Sequence, residues 1–119
     1  MQRFIIGLNH AMNGIALSWK SGRNFRIQSV LGGFAVCLSF AFHVQVWEWC
    51  VILLLIGGVL ALETINSSIE NLCDLISMER NPTIKTIKDL SAGAVLICSL
   101  IAFVIGCFIF IPKIISLVN

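Results

Sequence analysis

With 119 residues, of which 58% are hydrophobic and only 12% charged, and a mean hydropathy of +0.97, the chain is too apolar to clothe a soluble fold of its size. Its apolar stretches approach the roughly 20 residues that cross a bilayer core, so the expected class is an all-α integral membrane protein. The net charge is +2 and the basic residues stand singly, without aromatic interleaving, so nucleic-acid binding has no support.

Arg3 precedes the apolar Phe4, Ile5 and Ile6, but Asn9, His10 and Asn13 interrupt the run, and no cleavable signal segment is expected. Phe4, Leu8, Met12, Ile15 and Trp19 recur at three- and four-residue steps with Asn9, Asn13 and Lys20 opposite. That pattern predicts an amphipathic helix over about residues 3–20, lying in the headgroup region. A first span follows at about 27–46, with Gly32-Gly33 offering a close approach to a neighbouring helix and His43 as an interfacial or bundle-facing polar residue. A polar turn from Gln45 to Glu48, flanked by Trp47 and Trp49, belongs at a membrane surface.

The second span is expected at about 49–65, and the helical step continues through Ile65, Ile69, Leu72 and Ile76 to about Met78, so the helix projects roughly three turns into water. Asn81-Pro82 breaks it. A last helix starts near Pro82, carries Lys85, Lys88 and Asp89 on its aqueous part, spans the membrane at about 92–111 and is expected to end at Pro112-Lys113. The aqueous stretch between the last two spans is about 66–91. Cysteines 37, 50, 73, 98 and 107 lie mostly in apolar stretches, no two at the spacing of a thiolate metal site, and read as small packing residues. Of the eight basic residues, seven (Arg3, Lys20, Arg23, Arg26, Arg80, Lys85 and Lys88) fall before the first span or in the stretch before the last, which predicts a cytoplasmic amino terminus.

Glu63, Asn66, Glu70 and Asp74 are spaced three, four and four apart, within an arc of roughly 80° on one helix face. Glu63 directly follows the apolar run ending in Leu62, and an ionisable group at that depth is by default a functional-site hypothesis. A partly desolvated carboxylate can serve as a general base. Glu70, two turns further out, is placed to stay ionised and hold a hard cation such as Mg²⁺. Lys88 and Asp89 can meet phosphate oxygens and a polar nucleotide group, which completes a parts list for phosphoryl transfer to a lipid hydroxyl. The spacing alone is equally consistent with polar residues that join helices or solvate a protruding one. No Walker-type or protein-kinase glycine loop is present, so a nucleotide needs a site of another kind.

The string Glu63-Thr64-Ile65-Asn66-Ser67-Ser68-Ile69-Glu70, with Asp74 after it, and the string Lys88-Asp89-Leu90-Ser91-Ala92-Gly93-Ala94-Val95 resemble the signature of the prokaryotic diacylglycerol kinase family, which includes undecaprenol kinases. Arg23-Asn24-Phe25-Arg26 and Pro112-Lys113 resemble it too, leaning towards the undecaprenol kinases, so the likeness covers nearly the whole chain. The resemblance implies a homotrimer with a surface helix and three spans per chain in the bacterial inner (cytoplasmic) membrane. It also implies active sites between subunits, ATP as co-substrate, Mg²⁺ as cofactor, and direct transfer of the terminal phosphate to a membrane lipid alcohol. Carried over by position, Glu63 resembles the catalytic base, Glu70 the metal ligand, and Arg3, Glu70, Glu79, Lys88 and Asp89 the ATP contacts. Asn66 and Asp74 resemble supporting residues, and Arg26 with Glu63 the lipid contacts.

Two departures bear on the metal. Gly22 stands where the family usually has a second metal-binding glutamate, and Gln28 where it commonly has His or Glu. Mg²⁺ keeps waters and takes phosphate oxygens, so Glu70 can suffice, helped by Asp74 or Glu79; a Gly22→Glu change is the direct probe of the missing ligand. Two other classes compete with an ATP-dependent lipid kinase. One is a low-activity or inactive relative with a structural role, resting on Gly22. The other is a small channel or transporter subunit, against which stands the clustering of the acidic face at one membrane surface.

Overall fold

The computed structural model of the chain describes residues 1–76 and 81–118. Within them it is all-helical and without strands: α1 spans Gln2–Ser21, α2 Arg23–Ala41, α3 Val46–Ile76 and α4 Pro82–Val118. The 31 residues of α3 and the 37 of α4 correspond to roughly 46 and 55 Å of helix, well beyond a hydrocarbon core of about 30 Å. Both are long and apolar enough to cross a membrane, with mean hydropathies of 2.0 and 3.0 in their most apolar windows. Only 22% and 17% of those windows is buried within the chain, which suits helices facing lipid or other copies rather than a soluble core.

The ion pairs fix how α3 and α4 lie. Asp74 near the end of α3 meets Lys88 near the start of α4, and Glu48 at the start of α3 meets Lys113 near the end of α4, so the two run antiparallel along their length. α2 packs antiparallel to α3 on another side: Phe40 stacks edge-on against Trp49 with centroids 4.8 Å apart, and a Cβ at Gly32 would stand 3.0 Å from Ile56 Cγ2. Glycine at 32 is therefore what permits the close crossing. A compact apolar cluster of Val44, Ile52, Ile109 and Phe110 ties the three helices together at the α2–α3 turn. α1 stays outside it, and the stripe Phe4, Leu8, Met12, Ile15 and Trp19 remains exposed along its length.

Three local details differ from the sequence pattern. The helix of the first expected span stops short of Val46: α2 ends at Ala41, where the Val44 N–H reaches Ser39 O at 3.1 Å and the His43 N–H reaches Phe40 O at 3.2 Å. That is a Schellman turn, with His43 at φ 47° in the left-handed position that glycine usually takes and Val44 folded back into the core. Hydropathy does not register such a stop, because the turn residues are themselves apolar. Secondly, Glu48 belongs to the first turn of α3, its Oε2 accepting the Gln45 N–H at 2.7 Å, the back half of a capping box. Thirdly, α4 continues through Pro112 to Val118 instead of ending there. Ile109 and Phe110 are anchored in the core just before the proline and Lys113 is held to Glu48 just after it, at 3.0 Å, so tertiary contacts outweigh the one backbone bond the ring removes.

Glu48 is buried and Lys113 three-quarters so. Cutting Lys113 back to Ala strips a buried carboxylate of its cation, and thermal unfolding in detergent should show a loss of about 2 kcal/mol, with Lys113→Arg close to wild type.

Candidate active site between α2, α3 and α4

Gly22 makes the corner that sets α2 against α1. Its backbone is extended, φ −92° and ψ 104°, and its N–H closes on Ser18 O at 2.9 Å. A Cβ there would stand 2.7 Å from Ser18 O and 3.2 Å from Phe25 Cβ, so no side chain enters without moving backbone. The Gly22→Glu probe is thereby corrected: it would displace the corner as well as add a carboxylate. Even Gly22→Ala should lower stability by about 1 kcal/mol in thermal unfolding, and only the excess loss or gain seen with Glu over Ala reports on a metal.

From that corner α2 carries Asn24 and Gln28 towards the middle of α3. There the wall of α3 presents Glu63 and Asn66, each 4% exposed, and Glu70 one turn further out, while α4 contributes Ala92, Val95 and Ser99. These residues enclose a cleft of about 240 Å³. Asn66 Nδ2 donates to Glu70 Oε1 at 3.3 Å, linking the deep and shallow ends of the acidic stripe. Among the described residues, three buried atoms facing this region have no hydrogen-bond partner: Asn66 Oδ1, Gln28 Oε1 and Ser99 Oγ. Orphaned polar atoms gathered in one place are costly in a protein without a bound ligand, because each has been taken from water without replacement.

The helix face expected from the sequence is thus divided. Glu63, Asn66 and Glu70 share the cleft, whereas Asp74 is exposed and turned to Lys88, whose Nζ lies 2.5 Å from Asp74 Oδ1. That hydrogen bond keeps the Lys88 ammonium above the ordinary lysine pKa in the aqueous part of α4, ahead of the apolar stretch. Asp89 pairs with Lys85 at 3.1 Å on the open surface, an arrangement that contributes little to stability. Arg3 and Arg26 are exposed and line no part of the cleft, and Glu79 lies outside the described residues. Sequence reasoning passed over Ser99, met Asn24 only within the Arg23–Arg26 string, and met Gln28 only as a polar residue near a span end and a departure from the family pattern. The available signal was one hydroxyl, Ser99, in the apolar run of α4.

The cleft is acidic, with two carboxylates and no lysine or arginine among the described residues that line it. A polyphosphate is repelled by such a surface unless a divalent cation stands between them. No three acidic, histidine or cysteine side chains converge among the described residues, so a cation bound here would have to take most of its ligands from phosphate and water. The donor set of Glu70 and the unpartnered Asn66 Oδ1 fits Mg²⁺ held in that way.

Residues 9–110 match the family model described as prokaryotic diacylglycerol kinase. The chain is 36% identical over 113 residues to the undecaprenol kinase of Bacillus subtilis, covering 95% of this chain and 92% of that protein. Against a diacylglycerol kinase of Synechocystis it is 27% identical over 114 residues, 95% of this chain and 65% of that one. A diacylglycerol kinase of Helicobacter pylori is 29% identical over 96 residues, 81% and 75% of the two chains. With its membrane-length helices and a match over most of its length, the chain belongs to the prokaryotic diacylglycerol kinase family, a family of membrane-bound lipid kinases.

Proposed function

We infer that the chain phosphorylates the primary hydroxyl of a membrane lipid, using ATP, at the mouth of the cleft between α2, α3 and α4. The observation that carries this reading is the pairing of a buried carboxylate, Glu63, with a more exposed one, Glu70, in a single cleft through Asn66. Glu63 takes the hydroxyl proton as the alcohol oxygen bonds to the terminal phosphorus, and the bond from that phosphorus to the bridging oxygen breaks, leaving ADP with the electron pair. Mg²⁺, when bound, neutralises charge on the phosphate oxygens. Glu70 and Asn66 Oδ1 are the residues that would hold it. Asn66 also orients Glu70, through the bond of 3.3 Å. The enclosing apolar helices keep water from competing with the alcohol.

The remaining features follow the family resemblance. We place the protein in a bacterial inner membrane with its amino terminus cytoplasmic, α1 on the surface, and α2, α3 and α4 as three spans of a homotrimer. α2 is short for a span, since from Ile27 to Ala41 it covers roughly 22 Å, and the turn through Val44 completes the crossing. Arg3, Arg26 and Asp89 do not reach the cleft of their own chain, which supports sites completed across a subunit boundary. Arg3, Lys88, Asp89 and Glu79 are assigned to ATP, Arg26 to the lipid, and Asp74 to steadying Lys88.

The test is ADP release by the purified chain in vesicles. It is expected to depend on both an added lipid alcohol and Mg²⁺, with one lipid phosphate formed per ADP. Ion flux across the vesicles without ATP turnover would support the channel reading instead.

A further inference from the structure

The polar cleft does not end at Glu63. Gln28 and Ser99 line both it and a second, larger cavity of about 590 Å³ that runs on between α2, α3 and α4 towards the opposite membrane surface. Beyond those two residues its walls carry no amide, hydroxyl or charge; they are Leu31, Gly32, Ala35, Ile56, Ala102 and Phe103 with others of the same kind. The small residues there open the space, and the boundary is abrupt, polar on one side of Gln28 and Ser99 and hydrocarbon on the other. The buried oxygens of both residues, Gln28 Oε1 and Ser99 Oγ, are unpartnered at that boundary.

A ligand that matches must have a hydrogen-bonding head at the boundary and nothing but hydrocarbon immediately behind it. We propose that Gln28 and Ser99 hold the acceptor's hydroxyl, and that the groove selects an alcohol whose hydroxyl sits directly on a long hydrocarbon chain, a polyprenol, over a diacylglycerol. The inference rests on the lipid-kinase reading and narrows its substrate. A diacylglycerol carries two ester groups within a few bonds of its hydroxyl, and with that hydroxyl between Gln28 and Ser99 the ester carbonyls would enter a wall whose one side-chain donor is the weak thiol of Cys107. A polyprenol brings no polar atom beyond the hydroxyl. That hydroxyl can donate to Gln28 Oε1 before its proton passes to Glu63, and Ser99 can donate to the oxygen. Gln28 and Ser99 are thus positioning and specificity-determining residues.

Two substitutions separate this from a structural role. Ser99→Val removes an oxygen that has no partner among the described residues, so the protein without lipid should unfold at the same or a higher temperature while its use of the alcohol declines. Gly106 lines the groove, and a Cβ there meets nothing within 4 Å, so Gly106→Leu starts a side chain into open groove space and brings better helix propensity. The probes are a long polyprenol, a prenol of three isoprene units and a diacylglycerol, each in the same vesicles with labelled ATP and the full-length protein. Wild type should show a kcat/KM for the long polyprenol at least about tenfold above that for diacylglycerol. Ser99→Val should lower kcat/KM for both prenols by about fivefold, leaving the KM for ATP unchanged. Gly106→Leu should lower the rate with the long prenol by about tenfold and with the short one by less than twofold. Equal or better turnover of diacylglycerol by wild type would overturn the proposal and leave the kinase reading standing. So would unchanged prenol kinetics in both variants, the result if a second copy of the chain fills the groove. Phosphorylation of none of the three would overturn both.

Discussion

Glu63→Gln is expected to lower lipid phosphorylation by about 10²- to 10⁴-fold, the range that a positioned general base contributes, equivalent to roughly 3–5 kcal/mol of transition-state stabilisation. The substitution keeps shape and hydrogen-bonding capacity and removes only the ability to accept a proton at a carboxylate. Glu63 is 4% exposed and forms no ion pair among the described residues, so exchanging it for a neutral amide takes a charge out of a buried place and should leave the unfolding temperature unchanged or higher. A role as helix glue predicts no loss of activity. Glutamine bonds to neighbouring helices at least as well as glutamate, and activity would then survive. The assay is a steady-state rate in proteoliposomes beside a melting curve of the same preparation, and full activity in the folded variant would exclude Glu63 as the base.

The second large effect is expected at Glu70. Glu70→Gln retains an oxygen to accept from Asn66 Nδ2, so the 3.3 Å link and the fold around it survive while the charge is lost. If Glu70 holds the cation that lets ATP approach an acidic surface, the rate at ordinary Mg²⁺ concentrations should fall about 100-fold, and the concentration giving half-maximal rate should rise about tenfold or more. Titration of activity with Mg²⁺ in wild type and variant measures both. A fall in rate with an unchanged Mg²⁺ midpoint would assign Glu70 to the nucleotide or to positioning alone. Because Gly22 supplies no second carboxylate, this dependence on Glu70 should be steep.

The parts of the fold that rest on repetition were legible in the sequence. The three-and-four stepping from Phe4 to Trp19, the extension of α3 past the apolar run as far as Ile76, and the start of a new helix at Pro82 appear as the residues indicate, while the expected run on to Met78 lies outside the described residues. Asn81 caps α4 with its side chain on the Thr83 N–H at 2.9 Å, the local chemistry that asparagine before proline announces. The boundaries set by tertiary contact were not legible. His43 in a left-handed turn and Pro112 inside a helix are both settled by the Val44, Ile109 and Phe110 cluster and the Glu48–Lys113 pair, which join residues far apart in the chain.

The site shows the same division. Spacing on one helix was enough to bring Glu63, Asn66 and Glu70 to one face, and depth was enough to single out Glu63. Which residues stand across from that face depends on how α2 and α4 pack, and a single helix carries no such information. Asp74 and Lys88, read separately as a supporting residue and a nucleotide contact, turn out to bond each other. Gln28 and Ser99 acquire meaning only when their unpartnered oxygens are seen at the junction of two cavities. Gly22, which looked like a missing ligand, is also the residue that the corner between α1 and α2 requires.

Direct passage of phosphate from ATP to a lipid alcohol at this cleft is tested by mixing the purified chain in vesicles with terminally labelled ATP and quenching before and after the alcohol is added. Before addition the label should stay in ATP, with none on the protein. After addition it should appear in one step as a lipid phosphate monoester, at a rate that Glu63→Gln suppresses. Label bound to the protein, or released only as inorganic phosphate, would exclude direct transfer.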